Sequence, residues 1–120
     1  MTKEEEEEEG AMSLQVHFAI LHCYEQEDTF GNDTPIIRWN GQETWRGELG
    51  SGDETDTNHF VLFGGSDPGI VSLTEADWPD ADDHLGAHAI RMDEAGEDWH
   101  RAFFESDEAK YHLDYQVFNG

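Results

Sequence analysis

The stretch 34-TPIIRWNGQETWRG-47 reads as two short strands around one tight turn. Pro35-Ile36-Ile37 and Thr44-Trp45 are β-branched, apolar or aromatic positions, the residues that fit a pleated, half-buried surface. Between them stands Asn40-Gly41. A two-residue type I′ turn needs positive φ at both central positions, and Asn-Gly supplies it. The segment therefore predicts an antiparallel hairpin.

The same two-residue period recurs on both sides of the hairpin. Leu14, Val16, Phe18 and Ile20 alternate with Gln15, His17, Ala19 and Leu21, which argues for a half-buried strand running to about Tyr24. Cys23 falls in this run and reads as a small core residue. After a long polar loop, 48-ELGSGDETD-56, come 57-TNHFVLF-63, the turn 64-GGSDPG-69 and 70-IVSLTE-75. Further strands are expected at 85-LGAHAIRM-92, 100-HRAFFES-106 and 109-AKYHLDYQVF-118, the last with Tyr111, Leu113, Tyr115 and Val117 on one face. No segment has a sustained 3.6-residue period, and 94-EAGEDWHRAFF-104 has room for one helical turn. About eight short strands with turn signals between them predict an all-β, antiparallel eight-stranded β-sandwich. The domain spans 13–120. Residues 1–12 carry six consecutive Glu and no apolar period, the pattern of a disordered acidic tail.

Composition narrows the function. The chain has 120 residues, one domain's worth, with four Trp, three Tyr and seven Phe to fill a small core. It carries 29 acidic residues against six Lys and Arg, a net charge of −23. Nucleic acid is excluded as a partner, because phosphate contacts need Lys and Arg. Direct docking on anionic lipid is excluded for the same reason, unless a bound cation reverses the local charge. A single cysteine permits neither an internal disulfide nor a cysteine zinc cluster. No stretch approaches the length of a membrane span. The Glu-rich start does not read as a signal peptide, which fits a cytoplasmic protein or a secreted one whose signal has been removed. A surface that is merely salt-adapted also accounts for the overall charge, but not for where the acids cluster.

They cluster in loops. In an up-and-down strand order, the first, third and fifth connections share one end of a sandwich. These are 25-EQEDTFGND-33, 48-ELGSGDETD-56 and 76-ADWPDADD-83, all acidic. Like charges about 4 Å apart repel by roughly 4 kcal/mol at an effective dielectric near 20. Such crowding calls for solvated side chains or for a positive ion between them. Calcium suits the donor set, since it takes about six to eight oxygen ligands in flexible geometry, whereas magnesium demands a tighter octahedron.

On these residues the chain resembles a C2 domain, the eight-stranded calcium-binding β-sandwich. One loop of that family is patterned acid-x-acid-x5-Asp, followed by two residues and Gly. Here 75-EADWPDADDHLG-86 supplies Glu75, Asp77, Asp83 and Gly86, with Glu75 where the family usually has Asp. The other family loop holds two acids about six apart, the second opening a strand as Asp-Pro-aromatic. Glu27 and Asp33 have that spacing, Asp28 is an alternative to Glu27, and Thr34 stands before Pro35. The resemblance implies calcium as cofactor, held by Glu27, Asp28, Asp33, Glu75, Asp77 and Asp83, with Asp80 and Asp82 as extra ligands. It also implies a binding module rather than an enzyme. Phe30 and Trp78 sit at the loop tips, where C2 domains present apolar residues to a membrane or a protein partner once calcium is bound. A different module class, a calcium-stabilised glycan-binding or adhesion domain, would use Trp39, Trp45 or Trp78 to stack on sugar.

A histidine-based metal site is not expected. His84 and His88 lie some 13 Å apart along a strand by the per-residue rise. His17 and His22 fall on opposite faces of a regular first strand. No nucleophile elbow and no phosphate-cradling glycine loop occurs.

Overall fold

A computed structural model describes residues 14–26, 31–76, 82–107 and 109–120. The predicted tail, residues 1–12, lies outside them. Eight strands form in the order expected: β1 Leu14–Glu25, β2 Pro35–Trp39, β3 Gln42–Arg46, β4 Glu54–Leu62, β5 Gly69–Glu75, β6 Asp83–Ile90, β7 His100–Glu105 and β8 Lys110–Asn119. They make two antiparallel four-stranded sheets, ordered β4-β1-β8-β7 and β3-β2-β5-β6. The β2–β3 hairpin turns at Asn40 and Gly41 with φ of 50° and 86°, both positive as the type I′ reading requires. Asn40 then bonds back to Ile70 through its backbone N–H and side-chain oxygen, at 2.8 Å each.

The core lies between the sheets. Phe18, Leu21, Ile37, Leu73, Phe104, Tyr111 and Leu113 are buried in it. Cys23 is there too, as expected, and burial raises its thiol pKa. Trp39 meets Phe18 and Phe63 edge-on, at centroid distances of 6.0 and 5.6 Å. Its indole N–H donates to the Leu62 carbonyl at 2.9 Å.

Three expectations need correction. The fourth strand starts at Glu54, inside the span that reads as loop, because Glu54 and Asp56 alternate with Thr55 and Thr57 and pair with His22 and Ile20. The helical turn is a short 3₁₀ segment, Met92–Glu94, which shares only Glu94 with the span expected to hold it. The first strand is not regular either. Its register with both β4 and β8 shifts between Phe18 and Ile20. A bulge inserts one residue and resets the two-residue alternation. Val16 and Phe18 face the core before it, Leu21 and Cys23 after it. His17 and His22 therefore share the outer face instead of opposing each other.

That outer face carries a histidine pair. His112 of β8 stacks on His22 with centroids 5.1 Å apart, and Tyr24 hydrogen-bonds its Nδ1 at 2.6 Å. Burial lowers the pKa of His112, Arg101 adds to the effect, and Asp114 opposes it. The folded chain thus favours neutral His112, while the unfolded chain protonates it near pH 6.5. Stability should fall as pH drops through that value. The urea midpoint of the wild type is expected to fall more between pH 7.5 and 5.5 than that of His112→Gln, and equal falls would contradict the assignment.

Candidate functional site

Strand direction places the connections β1–β2, β3–β4 and β5–β6 at one end of the sandwich, as the sequence predicts. The β-ladders fix which acids meet there. Asp33 forms an isolated bridge with Leu49 of the second loop, with backbone bonds of 2.9 and 3.0 Å. Pro35 pairs with Glu75, and Glu75 pairs with Asp83. Residues opposite each other across antiparallel strands hold their Cβ atoms about 4.5–5.5 Å apart. Asp33, Glu75 and Asp83 thus lie at one end on three adjacent chain segments, Asp33 two residues ahead of the Pro35 that faces Glu75.

Their burial is unequal. Asp33 is 0% exposed and Glu75 2%, whereas Asp83 is half-buried. Asp33 Oδ2 accepts the Tyr111 hydroxyl at 2.6 Å, and Glu75 Oε1 accepts the Thr34 N–H at 3.2 Å. Burial first, and then the Asp33 contact, push the Tyr111 hydroxyl pKa well above its ordinary value. The phenol therefore remains a donor to the carboxylate. The base of the first loop is latched to the second by a reciprocal pair: Gln26 N–H to Ser51 Oγ at 3.0 Å, and Ser51 N–H to Gln26 Oε1 at 2.9 Å. Asp53 closes its own turn, accepting the Gly50 N–H at 2.8 Å.

Asp82, expected as an extra ligand, is engaged by Arg38 at 3.2 Å. Glu27, Asp28, Phe30, Asp77, Trp78 and Asp80 lie outside the described residues. From the sequence Tyr111 reads only as a core-facing strand residue, and its hydroxyl proves to reach the acidic end.

The donor set is in kind that of a hard cation, although the ligand atoms of Asp33, Glu75 and Asp83 do not all come within 4.8 Å of one another. It is made of carboxylate oxygens on three adjacent backbone segments, and each ionised carboxylate has about four lone-pair sites to share between protein donors and metal.

The tryptophans expected to stack on sugar are distributed otherwise. Trp39 is 7% exposed in the core, and Trp45 is half-buried with its ring against Gly47. The exposed tryptophan among the described residues is Trp99, which walls a shallow cleft of about 380 Å³ over the β1 bulge with His17, Ile20 and Asn58. His17 stacks on Phe60 at its rim, with centroids 4.3 Å apart.

No protein-family profile and no curated protein matches the chain. Solved structures do match. The first C2 domain (domain A) of a plant extended synaptotagmin 1 superposes with a TM-score of 0.65 at 11% identity, covering 88% of this chain and 91% of that one. The tandem C2 domains, A and B, of extended synaptotagmin 2 match at TM-score 0.52 and 24% identity, over 88% of this chain and 39% of theirs. A calcium-bound form of the same pair matches at 0.51 and 22%, over 87% and 44%. The chain has a C2-like fold.

Proposed function

We propose that this C2-like sandwich is a calcium-binding module that engages a membrane or protein partner when the ion is bound. The observation that carries the reading is the pair Asp33 and Glu75, both withdrawn from solvent where the acidic loops leave, Glu75 at the end of β5 and Asp33 just ahead of β2. An ionised carboxylate taken out of water is costly unless charge or hydrogen bonds compensate. Asp33 and Glu75 already have protein donors, and calcium would add the positive charge that a chain of net charge −23 lacks at this end. Asp33, Glu75 and Asp83, with Glu27, Asp28 and Asp77 from the loops, would hold it, and it would neutralise a surface that otherwise repels anionic headgroups. The match to a calcium-bound C2 pair is in keeping with this.

Calorimetric titration tests the ion. Calcium is expected to bind with at least tenfold preference over magnesium, because carboxylates spread over several loops suit the larger, more flexibly coordinated cation. Equal or absent heats for the two would dismiss the proposal. Sedimentation with vesicles containing phosphatidylserine tests the partner class. Pelleting in calcium but not in chelator supports a membrane, and no pelleting in either directs the search to a protein.

A further inference from the structure

We propose a second metal site, for a divalent transition ion such as zinc, at the end of the sandwich remote from the acidic loops. Its ligands are Glu94, Glu97 and His100, written 94-EAGEDWH-100 with a spacing of three. One ligand atom from each lies within 4.8 Å of the others. This site is independent of the calcium reading, since no residue is shared.

The group is more than a patch of surface acids. His100 Nε2 is shielded from solvent and makes no aligned hydrogen bond among the described residues. Yet carboxylate oxygens stand close to it, Glu97 Oε1 at 3.1 Å and Glu94 Oε1 at 3.6 Å. A ring nitrogen paired with a carboxylate would aim its N–H at the oxygen. Ligands around a metal behave differently, because each aims at the ion and not at its neighbour. With metal–ligand bonds of about 2.0–2.2 Å, neighbouring donor atoms on a tetrahedron sit about 3.3–3.6 Å apart. The Glu94 separation falls at the top of that range and the Glu97 separation just below it.

The ligands are also held. Glu94 ends the 3₁₀ turn, and its Oε2 accepts the Arg91 N–H at 2.6 Å. Its Oε1 accepts the Tyr115 hydroxyl at 2.6 Å. Because that phenol proton is committed to Glu94, His88 Nε2, 3.2 Å from the phenol oxygen, donates to it in turn. The Tyr115 ring stacks on the imidazole of His100, with centroids 5.2 Å apart and planes 19° from parallel. One tyrosine therefore orients both the carboxylate and the imidazole, as outer-shell partners do in metal sites. Glu97, whose side chain is 56% exposed, is the movable arm. An imidazole with two carboxylates favours a transition ion over calcium, and three protein ligands leave a position open to water.

The test is a zinc titration of the full chain by calorimetry in excess calcium, so that the acidic loops are occupied. One zinc per chain is expected. Glu97→Gln alters an exposed arm and leaves the core alone, and it should weaken zinc at least tenfold. His100→Gln should weaken it further, and Tyr115→Phe about tenfold through lost orientation. The control His22→Gln, from the other histidine cluster, should change nothing. Cobalt substitution should give the intense visible absorption of a four-coordinate site, absent in His100→Gln. Wild-type zinc affinity in both Glu97→Gln and His100→Gln would overturn the proposal, as would loss of binding in His22→Gln instead.

Discussion

Millimolar calcium is expected to raise the melting temperature by about 10 °C or more over chelator at constant ionic strength. A ligand present at 100 times its dissociation constant adds about 2.7 kcal/mol of stability, and each kcal/mol moves a domain of this size by about 4–8 °C. Screening of the −23 net charge has to be separated from site binding. At 0.15 M salt the Debye length is already about 8 Å, so added calcium contributes little further general screening. Magnesium at the same concentration should then give a much smaller shift. Asp33→Asn sharpens the test, because the amide oxygen still accepts the Tyr111 hydroxyl while one buried charge is gone. The variant should lose most of the calcium shift, read in each protein against its own melting temperature in chelator. A purely salt-adapted sandwich predicts equal small shifts for both ions and both proteins.

The second large effect concerns the core. A Cβ at Gly69 would collide with Cη2 and Cζ2 of the Trp39 ring. That ring cannot retreat freely, being tied to the Leu62 carbonyl and set edge-on between Phe18 and Phe63. Gly69→Ala must therefore overpack the core, at about 1–3 kcal/mol, and break a hydrogen bond worth about 1 kcal/mol. Urea unfolding should show a loss of about 3 kcal/mol. In a Trp39→Phe background the smaller ring leaves room for the methyl group, so the same substitution should cost less than about 1 kcal/mol, the signature of direct coupling. Equal costs in the two backgrounds would mean that the crowding lies elsewhere.

Much of this architecture is legible in the sequence because strands write their burial at every second residue. Leu14 to Phe18, Tyr111 to Val117 and the Asn40-Gly41 turn each declare themselves locally, and simple alternation of strand direction suffices to gather the acidic loops. The bulge after Phe18 is not legible, since no glycine marks it and the residues on both sides are apolar. From that point a regular alternation inverts the faces of β1 and misplaces His22. The start of β4 is hidden for a different reason: its outward acids make a paired strand look like loop. Asp33 and Glu75 stand out by loop spacing, but their burial depends on pairing across three segments. Trp39 reads as a candidate sugar platform because an isolated ring in a strand does not disclose which way it faces. The 94-EAGEDWH-100 spacing is visible in the sequence, but only the fold shows that its three side chains meet.

β8 pairs with both β1 and β7, and it delivers a phenol to either extremity of the molecule, Tyr111 to Asp33 and Tyr115 to Glu94. The two rings are four positions apart, roughly 13 Å along the strand. Because successive strand residues point to opposite faces, an extra residue inserted between them without a compensating bulge would leave one hydroxyl on its carboxylate and turn the other away. One lesion midway along β8 would then disarm one end and spare the other.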